Sequence, residues 1–186
     1  GSKLIGNDGF GIRMSAASVI ELNGTTITGS EYEGISLKGS SRATRRDSSV
    51  IKGGDDGIAL RDSSRISLQN SMVRGNEGKA LYLTDSSTGN VVDSEIREND
   101  EEGLYIKDST EATLTGNRIL DNGESGVYFA EEAKLILEDN KITGNPSGLE
   151  LKNPDRFEGS ITGSGNEITG TDSDFKGISE ALQMKL

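Results

Sequence analysis

One spacing constrains what this chain can fold into. The rung Gly103-Leu104-Tyr105-Ile106 recurs as Gly11-Ile12-Arg13-Met14, Gly34-Ile35-Ser36-Leu37, Gly57-Ile58-Ala59-Leu60, Ala80-Leu81-Tyr82-Leu83, Gly126-Val127-Tyr128-Phe129 and Gly148-Leu149-Glu150-Leu151, with a weaker copy at Gly177-Ile178-Ser179. Successive rungs stand 23 residues apart five times, then 22, then 29. A fixed period of this size marks a solenoid, in which each repeat is covered by its neighbours.

Each repeat holds three short strand signals. An Asn/Asp-x-x-Ile/Val element precedes the rung, as in Asp93-Ser-Glu-Ile96 and Gly116-Asn-Arg-Ile119. The rung follows, and then a third apolar-x-apolar pair such as Ile66/Leu68 or Leu135/Leu137. Alternation with period two says strand with one face buried. Three strands per 23 residues leave no room for helices. The pattern predicts an all-β fold, a parallel β-solenoid of about seven to eight coils, roughly 35 Å long at the usual strand spacing.

Two inner columns follow. One reads Ile12, Ile35, Ile58, Leu81, Leu104, Val127, Leu149; the other reads Met14, Leu37, Leu60, Leu83, Ile106, Phe129, Leu151, and neither holds a charge. Asn76, Asn99, Asn122 and Asn145 share a corner, with Asn7 in the same place in the first coil, and Asn suits stacked, left-handed turns. Ser18, Ser41, Ser64, Ser87, Thr110 and Ala133 fill another corner.

Two departures stand out. Arg45 falls where Leu68 and Leu114 fall elsewhere, which predicts a bulge or outward loop in Arg42-Ala-Thr-Arg-Arg46, a solvated irregularity rather than an anion site. After Gly148 the extra residues of 153–159 and 171–175 predict a projecting loop. Residues 3–175 are assigned to the solenoid and 176–186 to a C-terminal cap, either a short helix or a last strand. Gly1-Ser2 reads as a cloning remnant, and a start in mid-rung predicts a fragment with flanking domains in its parent protein.

Only 31% of the chain is apolar, a value that the narrow core of a solenoid tolerates. Net charge is −11 with no basic run, against a nucleic-acid partner or an anionic membrane surface. No stretch is long and apolar enough to span a bilayer. Cysteine and histidine are absent, which removes disulfides and thiolate or imidazole metal sites.

The repeated Asn-x-x-Ile-x-x-Asn-(x)-Gly-Ile-x-Leu-x-x-Ser-Ser pattern, over about residues 3–170, resembles the right-handed parallel β-helix of the pectate-lyase-like superfamily. It looks most like the carbohydrate-associated group that includes copper-maturation periplasmic proteins and alginate epimerases. The resemblance implies a groove on one outward sheet that binds polysaccharide, and an extracellular, cell-surface or periplasmic location. Lyases of the superfamily hold Ca²⁺ with clustered carboxylates and use Arg or Lys as base; hydrolases use Asp triplets. The epimerase Asp-Pro-His-Asp motif is absent here, as are the polygalacturonase signatures.

The outward column beside the inner ones reads Arg13, Ser36, Ala59, Tyr82, Tyr105, Tyr128, Glu150. Three tyrosines on consecutive coils either brace neighbouring strands or offer sugar rings an apolar face and a hydroxyl. Beside them run Lys38, Arg61, Lys107 and Lys152, and then the acids Asp62, Asp85, Asp108 and Glu131; across the glycines lie Asp55, Asp56, Glu101, Glu102 and Glu124. The candidate glycan strip is Tyr82, Tyr105, Tyr128, Arg61, Lys107 and Glu102. No cofactor is required, though acids of adjacent coils suit Ca²⁺. The regular step argues against the long turns that build a catalytic cleft. The first reading is therefore a non-catalytic scaffold or glycan-binding module of a larger protein. The alternative is a polysaccharide-acting enzyme, most readily a Ca²⁺-dependent lyase, using Asp55/Asp56 or Glu101/Glu102 with Arg61 or Lys107. A consensus-like solenoid without ligand is opposed by the breaks at Arg45 and after Gly148.

Overall fold

A computed structural model describes residues 1–183 and 186. The chain is a parallel β-solenoid of about eight turns with three faces. The first face carries Lys3–Ile5, Thr26–Thr28, Ser49–Ile51, Met72–Arg74, Glu95–Arg97 and Arg118–Leu120. The second carries Ile12–Met14, Ile35–Leu37, Ile58–Leu60, Leu81–Leu83, Leu104–Ile106 and Val127–Ala130. The third is a separate seven-stranded sheet of five-residue strands running from Val19–Asn23 to Ser160–Ser164. Neighbouring coils pair in parallel and in register, so that Tyr82 lies opposite Tyr105 and Tyr105 opposite Tyr128.

The inner columns form the core. Ile35, Leu37, Ile58, Leu60, Leu81, Leu83, Leu104, Ile106, Val127, Phe129 and Leu149 are fully enclosed, and Ile27, Val50, Val73, Ile96, Ile119 and Ile142 line the first face from inside. Burying each such side chain contributes about 1.5–3 kcal/mol, which offsets the ordering of a chain with so little apolar content.

Each coil turns at three left-handed corners. Asp62, Asp85, Asp108 and Glu131 occupy one with φ between 57° and 63°. Asp47, Asn70, Asp93 and Asp139 occupy a second, and Gly29, Lys52, Gly75, Glu98, Asp121 and Gly144 a third. Asp and Asn dominate two of these corners because short polar side chains tolerate that conformation. The glycine opening each rung has another cause. A Cβ on Gly103 would sit 2.6 Å from the Gly126 carbonyl oxygen and 2.7 Å from Ile119 Cγ2.

The expected asparagine column is a continuous buried ladder. Asn76, Asn99 and Asn122 each donate a side-chain amide N–H to the Oδ1 of the next, ending on Asn145, at 2.7–3.0 Å. The same oxygens accept backbone N–H groups of the preceding coil. A second ladder, Asn117–Asn140–Asn166, turns the other corner of the first face.

Three sequence expectations are corrected. Arg45 makes neither bulge nor loop: Arg42–Arg46 is a regular strand, with Arg45 opposite Leu22 and Leu68 and fully enclosed. Among the described residues none of its guanidinium nitrogens has a hydrogen-bond partner. Alternation with period two fixes which side of a strand faces inward, and the pairing of its neighbours holds it there even when that position carries a charge. Next, 171–175 is not a loop. It belongs to the strand Glu167–Lys176, which pairs with the long strand Lys141–Lys152. Finally, the last rung in register is Phe175-Lys176, opposite Leu149 and Glu150, rather than Gly177-Ile178. Residues 153–159 do leave the coil, through a 3-10 turn at Pro154–Arg156, and Phe157 packs edge-on against Phe129 at 5.5 Å. One helical turn, Glu180–Gln183, follows the buried Ile178 within the segment expected as a cap; Met184 and Lys185 of that segment lie outside the described residues. Among the described residues no helix is long and apolar enough to cross a membrane.

Candidate functional site

The second face carries the tyrosines as an outward ladder. Tyr105 and Tyr128 stack with ring centroids 4.4 Å apart and planes 10° from parallel; Tyr82 follows at 5.5 Å, tilted by 45°. Pairing of identical positions in parallel strands forces this geometry, because each ring sits one strand spacing above the last. One expectation changes as a result. The ring faces cover one another, so a molecule lying along the rod meets ring edges and hydroxyl groups rather than flat apolar faces.

The other predicted site residues gather around this ladder. Arg61 places its guanidinium 5.5 Å from the Tyr82 ring centre and bonds Glu33 at 3.0 Å. Lys107 leaves the end of the Tyr105 strand beside Asp108. Burial opposes its charge, but Tyr82 and Asp108 favour it and its pKa is raised. Glu102 stands at the opposite end of the rung, before Gly103, almost fully buried.

The residue before each rung glycine forms a column that sequence reading did not isolate: Phe10, Glu33, Asp56, Lys79, Glu102, Ser125 and Ser147. Glu33, Asp56 and Glu102 are all buried here. Burial raises Asp56 to about 6, opposed by the Lys79 backbone N–H, which donates to its Oδ1 at 2.9 Å, and by the Lys79 charge. Burial likewise raises Glu102 to about 7, opposed by Lys79 and reinforced by the neighbouring Glu124. Lys79 joins the column together: its ammonium bonds Glu101, lies 3.6 Å from Glu102 Oε2, and sits 5.3 Å from the Tyr105 ring centre. Its signal was available, since it stands 23 residues from both Asp56 and Glu102.

The two acidic stripes beside the tyrosines differ in kind. Asp62 Oδ2 accepts the Gly39 N–H, Asp85 Oδ2 the Asp62 N–H, Asp108 Oδ2 the Asp85 N–H and Glu131 Oε2 the Asp108 N–H. These are corner caps, each carboxylate closing the turn one coil before it. Among the described residues no three acids converge in the manner of a metal site.

A cleft of about 460 Å³ lies at the C-terminal end of the ladder. Glu102, Glu124, Tyr105, Tyr128 and Glu150 line it, and Asp172 and Lys176 of the last strand close one side. Turn length alone gave no hint of it, because its wall comes from the strand read as a loop. Tyr128 is held above the usual tyrosine pKa, first by burial and then by the Tyr105 hydroxyl. Glu150 accepts from Ser125 Oγ at 2.7 Å and pairs with Lys176 at 2.9 Å, and these contacts outweigh burial to lower its pKa.

No curated protein is matched by sequence. Among solved structures, the chain is similar to the periplasmic alginate epimerase AlgG, with TM-score 0.70 and 17% identity over 90% of this chain and 46% of that one. It is also similar to pectate lyase Pel9A, with TM-score 0.67 and 12% identity over 86% and 47%. A third is the Azotobacter vinelandii mannuronan C-5 epimerase AlgE6 A-module, with TM-score 0.60 and 15% identity over 88% and 58%. This chain thus spans about half the length of these proteins, and the likeness is one of fold. The family described as "Right handed beta helix region" matches residues 10–175, and the chain belongs to that family.

Proposed function

We propose that this chain is a non-catalytic, glycan-binding β-helix module of a larger extracellular or periplasmic protein, with its ligand lying along Tyr82, Tyr105 and Tyr128. The observation that carries the reading is the cleft at the end of the tyrosine ladder. It combines phenol hydroxyls with carboxylates and lysines at the spacing of adjacent coils, a donor and acceptor set suited to sugar hydroxyls. The names of the structural neighbours, which act on pectate and alginate, support a polysaccharide partner for this scaffold.

The test is a glycan array probed with the wild type and Tyr128→Ala. Removing the ring that floors the cleft should reduce affinity about tenfold, the usual scale for a central aromatic contact. Array binding that Tyr128→Ala leaves unchanged overturns the reading.

A second reading is favoured by one feature, the elevation of Glu102 to about 7 beside Tyr128. A carboxyl that exchanges its proton near neutrality suits general acid–base work on a polysaccharide. Unsaturated product released from a uronate polymer, with or without Ca²⁺, and abolished by Glu102→Gln, would move the assignment from module to lyase.

A further inference from the structure

We infer that the third face carries an oxoanion site, in which Arg42, Arg46 and Arg65, with the buried charge of Arg45 behind them, take a single sulfate or phosphate group. Alternation builds the patch. In Arg42–Arg46 the inward residues are Ala43 and Arg45, and in Arg65–Gln69 they are Ile66 and Leu68, so the other three of each strand stand outside. The strands pair in parallel, with Arg42 opposite Arg65, Thr44 opposite Ser67 and Arg46 opposite Gln69. The regular strand replaces the irregularity expected there and fixes the spacing of the arginines. All three are exposed. Among the described residues Arg61, Arg74, Arg97 and Arg118 each meet a glutamate, whereas Arg42, Arg46 and Arg65 meet no acid.

Two independent observations point to an anion. The first is a contrast within one outward column, which runs in register through Arg42, Arg65, Thr88, Glu111 and Lys134. At its far end the column alternates in sign, and Lys134 bonds Glu111 at 3.0 Å. At its near end arginine lies on arginine, one strand spacing of about 4.8 Å away. Like charges directly opposite destabilise a sheet, so this pair works against the fold. The second observation is on the other side of the same strand. Arg45 is fully enclosed, and among the described residues its guanidinium has neither a hydrogen-bond partner nor an acid beside it. Little solvent screens that charge, so its field crosses the sheet. The strand thus turns three positive charges within five residues toward whatever lies against its outer side.

The donor set decides the class of anion. Each guanidinium offers a two-donor fork, and the hydroxyls of Thr44 and Ser67 stand on the same two strands. Tetrahedral oxygens can meet forks from two strands and a hydroxyl together, whereas the coplanar oxygens of a carboxylate match one fork. The size of the patch sets the number of groups. It spans two coils and is bordered by Glu21, opposite Thr44, within a chain of net charge −11. A long polyanion such as a nucleic acid would run off the arginines onto acids, so one anionic group fits and a string of them does not. A depression of about 250 Å³, lined by Glu21, Asn23, Thr44 and Arg46, adjoins the patch and gives room for the group that would carry an ester. The tyrosine ladder is on another face, so the site does not rest on the glycan reading.

The experiment is calorimetric titration of the intact chain, at neutral pH and constant ionic strength, with inorganic sulfate, inorganic phosphate, glucose 6-sulfate, glucose 6-phosphate and acetate. One tetrahedral anion per chain should bind with a dissociation constant of about 1 mM, at least about tenfold tighter than acetate. Tighter binding of the esters supports the site and assigns it to a modified sugar; tighter binding of the inorganic ions supports it and assigns it to the free anion. Arg42→Gln and Arg65→Gln should each weaken binding about tenfold. Arg45→Leu should weaken it about threefold through charge alone, and Lys134→Gln on the same face should leave it unchanged. Without ligand, both Gln variants should be at least as stable as the wild type, because each relieves a like-charge contact. Absence of saturable binding, acetate binding as tightly as the tetrahedral anions, or an affinity unchanged in both Gln variants overturns the inference. So does an affinity that Arg45→Leu leaves untouched, or a loss of stability in the Gln variants, which would assign the arginines to the fold.

Discussion

Two buried polar columns run side by side along this rod, three residues apart in sequence. Asn76, Asn99, Asn122 and Asn145 form one; Asp56, Lys79, Glu102 and Ser125 form part of the other. In the first, each interior amide gives to the next coil and receives from the previous one, so the column is uniform and closed. In the second, the residue type changes from coil to coil, Glu102 Oε2 accepts no hydrogen bond and has only the Lys79 ammonium at 3.6 Å, and two carboxyls titrate well above their ordinary range. The difference teaches that repetition in itself indicates neither structure nor function. A repeated polar position that satisfies itself belongs to the fold. One that stays unsatisfied while facing a cleft leaves its chemistry open to something outside the chain.

The sharpest way to break the contrast is to open the closed column. Asn122→Ala removes the acceptor for two Asn99 donors and the donor to Asn145. It should destabilise the protein by about 3 kcal/mol, since buried donors are then left unmade, and the denaturation midpoint will report it. Arg45→Leu probes an unsatisfied group that faces no cleft. Desolvation lowers its pKa to about 10, and among the described residues no acid pairs with it. Replacing it with the residue type above and below it should raise stability by about 2 kcal/mol, with an unchanged denaturant slope. A loss of stability on Arg45→Leu would mean that the interior relies on this charge.

The smallest effect should come from Glu102→Gln without ligand, and its sign depends on pH. Folding raises this carboxyl from 4.5 to about 7, so the folded state favours the protonated form. The cost of ionising it is absent below 4.5, grows as the pH rises and is complete above about 7. The variant should therefore match the wild type in acid and exceed it by about 1 kcal/mol above neutrality, after allowance for solvent and Lys79. Stability curves that stay parallel across that range would place Glu102 among ordinary surface acids.

How much of this was legible in the sequence follows from what each position repeats. Leu104 and Ile106 recur in kind as well as in place, so period, strand count and inner columns could be read directly. The tyrosine column and its neighbours Arg61, Lys107 and Glu102 were also visible, because register alone brings them together. Arg45 misled because residue type was weighed above register. Lys79 was missed because its column has no consensus, and pairs such as Lys79 with Glu102 emerge only once coils are stacked. The cleft was hidden for a different reason: Asp172 and Lys176 join it through a strand whose step from the previous coil is 26 residues, as in the pairing of Lys141 with Glu167.

The shortened corner at Asn145-Pro146-Ser147-Gly148 has a consequence for the end of the ladder. One residue fewer than the turn Asn122–Gly126 lets Lys141–Lys152 run without interruption from the first face to the second, and Pro146 and Ser147 stand on that edge between Glu124 and Asp172. The tyrosine ladder therefore ends on a charged pair instead of another ring, with Glu150 opposite Tyr128 and bonded to Lys176. On the proposed glycan reading, a sugar at that end would exchange an aromatic neighbour for an ionic one.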